Sequence, residues 1–128
     1  MPWAGLIAVA GGAVLGAWAR WGLSAVLNPV LPSLPLGTLA ANLAGGFLIG
    51  ITLALGESVG IPPVVRLGVT TGFLGALTTF SAFSAEAFSL IARGQYGWAA
   101  LLVGAHTAGS VLLTGAGFVL TRTLLRAS

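Results

Sequence analysis

An all-α membrane protein of four crossing helices, the third of them broken, is the fold this chain predicts. Three observations predict it. Of 128 residues, 57% are hydrophobic and 5% are charged, where a soluble domain carries about 25%. Mean hydropathy is +1.06. Four apolar stretches each reach the ~20 residues that a crossing helix needs. A single four-helix transmembrane domain over residues 1–128 accounts for all of them.

The spans run at about 3–26, 36–55, 64–92 and 96–121. Asn28-Pro29, Pro32 and Pro35 close the first, because proline removes a helical donor. Glu57 to Pro63 separates the second from the third, and Arg93-Gly94-Gln95 the third from the fourth. Trp3, Trp18, Trp21, Tyr96 and Trp98 fall near span ends, as an aromatic belt requires. The chain opens Met-Pro-Trp-Ala-Gly without a basic segment, so the first stretch is read as a true span and not as a cleaved leader. Twenty glycines are present, and Gly12/Gly16, Gly46/Gly50 and Gly68/Gly72 form Gly-x-x-x-Gly pairs. Such pairs let backbones approach closely in lipid, either within one bundle or between two subunits.

The third span holds the most informative segment, Gly72-Phe-Leu-Gly-Ala-Leu-Thr-Thr-Phe-Ser-Ala-Phe-Ser84. Glycines and adjacent threonines weaken a helix. In hydrocarbon, freed backbone groups then need protein, water or an ion. A break there points to an ion or substrate site. Phe80 and Phe83 follow at i, i+3, with Ser81 and Ser84 at the same spacing. They offer ring edges and hydroxyls without a fixed charge.

Other polar residues sit at membrane depth. Thr38 and Asn42 share a face of the second span. The Asn amide supplies two donors, which serve either a small hydrated anion or an interhelical bond that merely holds the bundle. His106, Ser110 and Thr114 fall at i, i+4, i+8 and draw one polar stripe. Each hydroxyl has the alternative of bonding back to its own helix. Glu86 is an acid inside the third span, a functional candidate by default or a partner for Arg20. Arg20, between Trp18 and Trp21, is either functional or snorkels to headgroups.

Several classes are excluded. Five arginines are scattered, with no basic face for nucleic acid. There is no cysteine and one histidine, so no cysteine or multi-histidine metal site exists within one chain. No paired carboxylate or phosphate loop appears, so the chain is not read as an enzyme. With four spans, Arg66, Arg122 and Arg126 lie on one side, and Arg93 and Arg20 on the other. That bias is weak, so a single topology and insertion both ways up stay open.

Three segments together resemble the small bacterial fluoride channels of the Fluc/CrcB family: Gly11-Gly12-Ala13-Val14-Leu15-Gly16-Ala17 through Arg20; Gly37-Thr38-Leu39-Ala40-Ala41-Asn42 with Gly45 and Gly50; and Gly72 through Ser84 with Glu86. They cover three of the four spans. Ala76 and Ala82 depart from the Gly and Thr or Ser expected there. The resemblance implies a passive fluoride channel of the cell (inner) membrane, built as an antiparallel dual-topology homodimer in lipid. It implies a structural sodium ion on the dimer axis, held by the carbonyls of Gly75 and Thr78. It implies a fluoride path through Asn42, Phe80, Phe83, Ser81, Thr38, His106, Ser110 and Thr114, with Arg20 and Glu86 as further candidates. The alternative is a small dual-topology multidrug exporter. That class resembles a pattern with a glutamate in the first helix, where this chain has only Arg20. An assembly factor without transport would leave the broken segment unused.

Overall fold

The computed structural model describes residues 2–128. Among them there are helices and turns and no strand. Helix α1 is Pro2–Leu27, followed by a short 3-10 turn at Asn28–Val30. Helix α2 is Leu36–Ser58. The third span, Pro63–Ala92, is composite: α3 at Pro63–Arg66, a π-helical segment at Leu67–Leu74, α4 at Gly75–Leu77 and α5 at Phe80–Ala92. Helix α6 is Tyr96–Ala127. Four helices are long and apolar enough to cross a bilayer, and the chain is a multi-pass membrane protein.

Loops join them with defined caps. Asn28 reaches across the first loop, where its Oδ1 accepts the Thr38 amide at 3.0 Å. It satisfies one of the free donors in the first turn of α2. Gly94, at φ 74, ends α5: its amide donates to Ile91 O and the Gln95 amide to Leu90 O. That pair of reversed bonds needs a left-handed residue, which glycine supplies without strain. At ~1.5 Å per residue, α6 is longer than the ~30 Å hydrocarbon layer. Its last turns carry Arg122, stacked over Phe118 at 5.5 Å, and Arg126.

Backbone-to-backbone contact organises the bundle. Helix α2 lies along α6, and α1 lies along the π segment and α4. A Cβ on Gly50 or Gly117 would collide with the backbone of Thr114 or Phe47 on the facing helix. On α1, a Cβ on Gly12 or Gly16 would meet the carbonyls of Gly68 or Phe73. Lipid supplies no hydrophobic drive for helix association, so close packing of this kind carries the fold. Two small apolar clusters fill what remains, one around Phe83, Leu90 and Leu102 and one around Leu74 and Leu77.

Gly16→Ala is expected to lower the stability of the detergent-solubilised protein by about 1–3 kcal/mol, because the facing obstacle is backbone and cannot rotate away. Gly11→Ala, which meets nothing within 4 Å, is expected to change it by less than about 0.5 kcal/mol. Melting of the two variants side by side checks the contrast.

Candidate functional site

Thr78 and Thr79 interrupt the third span. Their backbones are extended, at φ −84, ψ 152 and φ −148, ψ 111. The Thr78 amide still bonds Leu74 O at 3.0 Å, so helical bonding reaches Thr78 and stops. Two redirected amides mark the interruption. The Thr79 amide, which would serve Gly75 O in a continuous helix, donates instead to Asn42 Oδ1 at 2.7 Å. The Ala82 amide, which would serve Thr78 O, donates to Thr79 Oγ1 at 3.1 Å, an N-cap for α5. Of the carbonyls left behind, Ala76 O accepts from Arg20 Nε at 3.0 Å.

Asn42 grips both polar groups of Thr79. Its Oδ1 takes the amide, and its Nδ2 donates to Thr79 O at 3.1 Å. Because the amide of Thr79 can only donate, the carboxamide orientation is determined. Nδ2 therefore also donates to His106 Nδ1 at 3.0 Å. That makes Nδ1 an acceptor and places the ring proton on Nε2. His106 is buried, with 4% of its surface exposed, and Nε2 has no partner among the described residues.

A cavity of about 470 Å³ lies beside the break. Asn42, Gly45 and Gly46 line it from α2, Gly75, Thr78, Thr79, Phe80 and Phe83 from the third span, and His106, Ser110 and Thr114 from α6. Phe83 is buried and Phe80 is 77% exposed. Their rings meet edge to face, with centroids 5.4 Å apart. Phe83 also packs on the His106 ring at 4.9 Å. Among the described residues, no charged side chain lines this cavity.

The structure therefore brings together most of the sequence candidates: Asn42, Gly75, Thr78, Phe80, Phe83, His106, Ser110 and Thr114. It places four elsewhere. Ser81 is exposed outside the lining, with Oγ 3.3 Å from Thr79 Oγ1. Thr38 sits one turn from Asn42, where its hydroxyl donates to Glu86 Oε2 at 2.7 Å. Glu86 Oε1 has no protein partner, and Glu86 lines a second, smaller cavity with Ser89 and Arg93. Arg20 braces the break through Ala76 rather than pairing with Glu86. The stripe hydroxyls are occupied: Ser110 donates to Thr107 O at 3.2 Å, and Thr114 is shared between Gly46 O at 2.8 Å and Ser110 O at 2.9 Å.

Sequence reasoning missed Thr79 as the hub of this network, along with Thr70 and Thr107 in the lining. The signal for Thr79 was present. An Asn at membrane depth needs both a donor and an acceptor, and a residue with broken backbone offers both. The π segment at Leu67–Leu74 had no such signal.

Residues 7–118 match the family described as CrcB-like protein, Camphor Resistance (CrcB), and the chain belongs to that family. It is similar to the protein named fluoride-specific ion channel FluC of Aromatoleum aromaticum, with 53% identity over 88% of this chain and 86% of that one. It is similar to the FluC of Thiobacillus denitrificans, with 54% identity over 88% and 91%. It is also similar to that of Nitrosospira multiformis, with 49% identity over 93% and 94%.

Asn42→Asp keeps the acceptor for the Thr79 amide and removes the donors to Thr79 O and His106 Nδ1. The variant is expected to lose about 1–3 kcal/mol of stability, the penalty for orphaned buried polar groups. Melting in detergent checks this. An unchanged midpoint would contradict the clamp.

Proposed function

We propose that this chain is a fluoride-selective ion channel that lets fluoride leave the cell passively across the cell (inner) membrane. The observation that carries the reading is a cavity at membrane depth whose donors are all neutral, in a chain 53% identical to a protein named as a fluoride-specific channel. Fluoride is small and strongly hydrated, so hydrogen-bond donors must replace its water. His106, Thr107 and Ser110 of α6 lie in the lining, and their neutral N–H and O–H groups are donors of that kind. Phenyl ring edges carry the positive part of the quadrupole, and Phe80 and Phe83 present edges beside them. A fixed cation would bind the ion too tightly for release, and the lining has none.

Asn42 enters this path indirectly, because both of its N–H donors are committed to Thr79 O and His106 Nδ1. It holds His106 in the tautomer that keeps Nε2–H free, and it holds the break open at Thr79. The energetics need no pump. Hydrogen fluoride crosses membranes neutral and ionises in a less acidic cytoplasm, where the anion is trapped. A membrane potential negative inside then drives the anion out through any selective leak.

The working unit in this reading is an antiparallel dual-topology homodimer. Support comes from the exposed Phe80 face beside the cavity, since a polar opening turned to lipid is costly. A second copy inverted about an axis in the membrane plane would cover it, and the weak arginine bias permits both insertions. A structural sodium ion fits the same site. The two carbonyls whose helical donors are redirected are those of Gly75 and Thr78, and carbonyl oxygens suit a hard monovalent cation. Such an ion would satisfy backbone groups that lipid cannot.

Vesicles loaded with potassium fluoride or potassium chloride, made with the purified protein and given valinomycin, test the function. Rapid fluoride efflux with chloride retained is expected. Equal efflux of both ions, or fluoride retention as in protein-free vesicles, would refute the reading. Phe80→Ile and Phe83→Ile keep bulk and remove the ring edge, and each is expected to slow fluoride efflux by about tenfold or more.

A further inference from the structure

Gly45 differs from the other tightly packed glycines of the bundle. At Gly12, Gly16, Gly50 and Gly117 an added Cβ would strike the backbone of the facing helix. At Gly45 it would strike one side-chain atom, the Cγ2 methyl of Thr78; the next neighbour is Thr78 Cβ at 3.6 Å, and nothing else lies within 4 Å. Gly45 is therefore a socket for a single methyl group.

That methyl is held in place. The Thr78 hydroxyl donates to Leu74 O at 2.8 Å, which pins χ1. A β-branched side chain with its hydroxyl turned back to the preceding turn has one direction left for the methyl, and here that direction is α2. Rotating the methyl away would break the Leu74 bond. Thr78 is also the last residue whose amide bonds helically before the extended turn. How deeply its methyl seats sets the backbone of Thr78, hence the direction of its carbonyl and the departure of α5 with Phe80 and Phe83.

We infer that Gly45 is a positioning residue for the ion path, acting through Thr78: the Gly45–Thr78 socket sets the conformation of the break, and α2 must carry no Cβ there while Thr78 carries a methyl. This rests on the fluoride-channel reading for its main readout. It makes a demand on two residues that neither meets alone. Gly45→Ala introduces the collision. Thr78→Ser deletes Cγ2, keeps the hydroxyl for Leu74 O, and leaves the new Cβ at 3.6 Å from its neighbour, an ordinary contact. The second substitution should therefore repair the first.

The test uses four full-length proteins: wild type, Gly45→Ala, Thr78→Ser and the double variant. Fluoride efflux is measured from vesicles, with size-exclusion profiles checking assembly. Gly45→Ala is expected to conduct at least about tenfold more slowly than wild type. The double variant is expected to match Thr78→Ser alone to within about twofold. Gly45→Ala conducting like wild type, or a double variant no faster than Gly45→Ala, would overturn the inference. If wild-type vesicles release no fluoride, the channel reading fails, and melting of the same four proteins then decides the socket. A midpoint lowered by Gly45→Ala and restored in the double variant upholds it. Equal loss in both variants overturns it.

Discussion

No backbone amide or carbonyl can be left to solvent in hydrocarbon, and the centre of this molecule is organised by that constraint. A continuous third helix would meet it at no cost. The chain instead interrupts the helix at Thr78–Thr79 and satisfies several of the exposed groups from its own side chains. Asn42 takes both polar groups of Thr79, the Thr79 hydroxyl takes the Ala82 amide, and Arg20 takes Ala76 O. Three of these partners come from three different spans. The interruption is thus tied to the packing of α1, α2 and α5 together, and it cannot relax without loosening all of them.

Close helix packing is what brings those partners within reach. An Asn side chain is short. Its reach across to Thr79 requires α2 to lie almost against the third span, and glycine at position 45 permits that approach. The same logic holds for α1, where Gly12 and Gly16 face carbonyls of the third span and bring Arg20 to the level of Ala76. The glycine pairs and the polar network are therefore one device: the glycines set the distance and the polar side chains use it.

The four spans, their order and most of the cavity lining were legible in the sequence, because each rests on a local signal. Apolar length gave the spans, adjacent threonines among glycines gave the weak point in the third, and i, i+4 spacing gave the faces carrying Asn42 and His106. Pairing between spans was not legible. Asn42 with Thr79, Thr38 with Glu86 and Arg20 with Ala76 join residues 37, 48 and 56 positions apart. No periodicity records which face of one helix meets which residue of another. The fate of the hydroxyls was left open for the same reason. Ser110 and Thr114 bond to carbonyls in this structure, whereas the histidine that looked equivalent to them keeps a free donor.

That difference orders the donors energetically. A hydroxyl already bonded to a carbonyl must give up that bond to serve an anion, so its net gain is the difference between two acceptors. His106 Nε2 has no acceptor among the described residues, and it is buried. Under the fluoride reading, it becomes the strongest neutral donor once a side-chain movement uncovers it, beside hydroxyls that offer smaller net gains. Such a profile draws an anion in without a deep well, which is what permeation requires. A lysine or arginine in the place of His106 would deepen the well by charge and could not be balanced by its neighbours. The amide that holds the backbone break also orients the imidazole beside it, so the fold and the proposed path depend on one side chain.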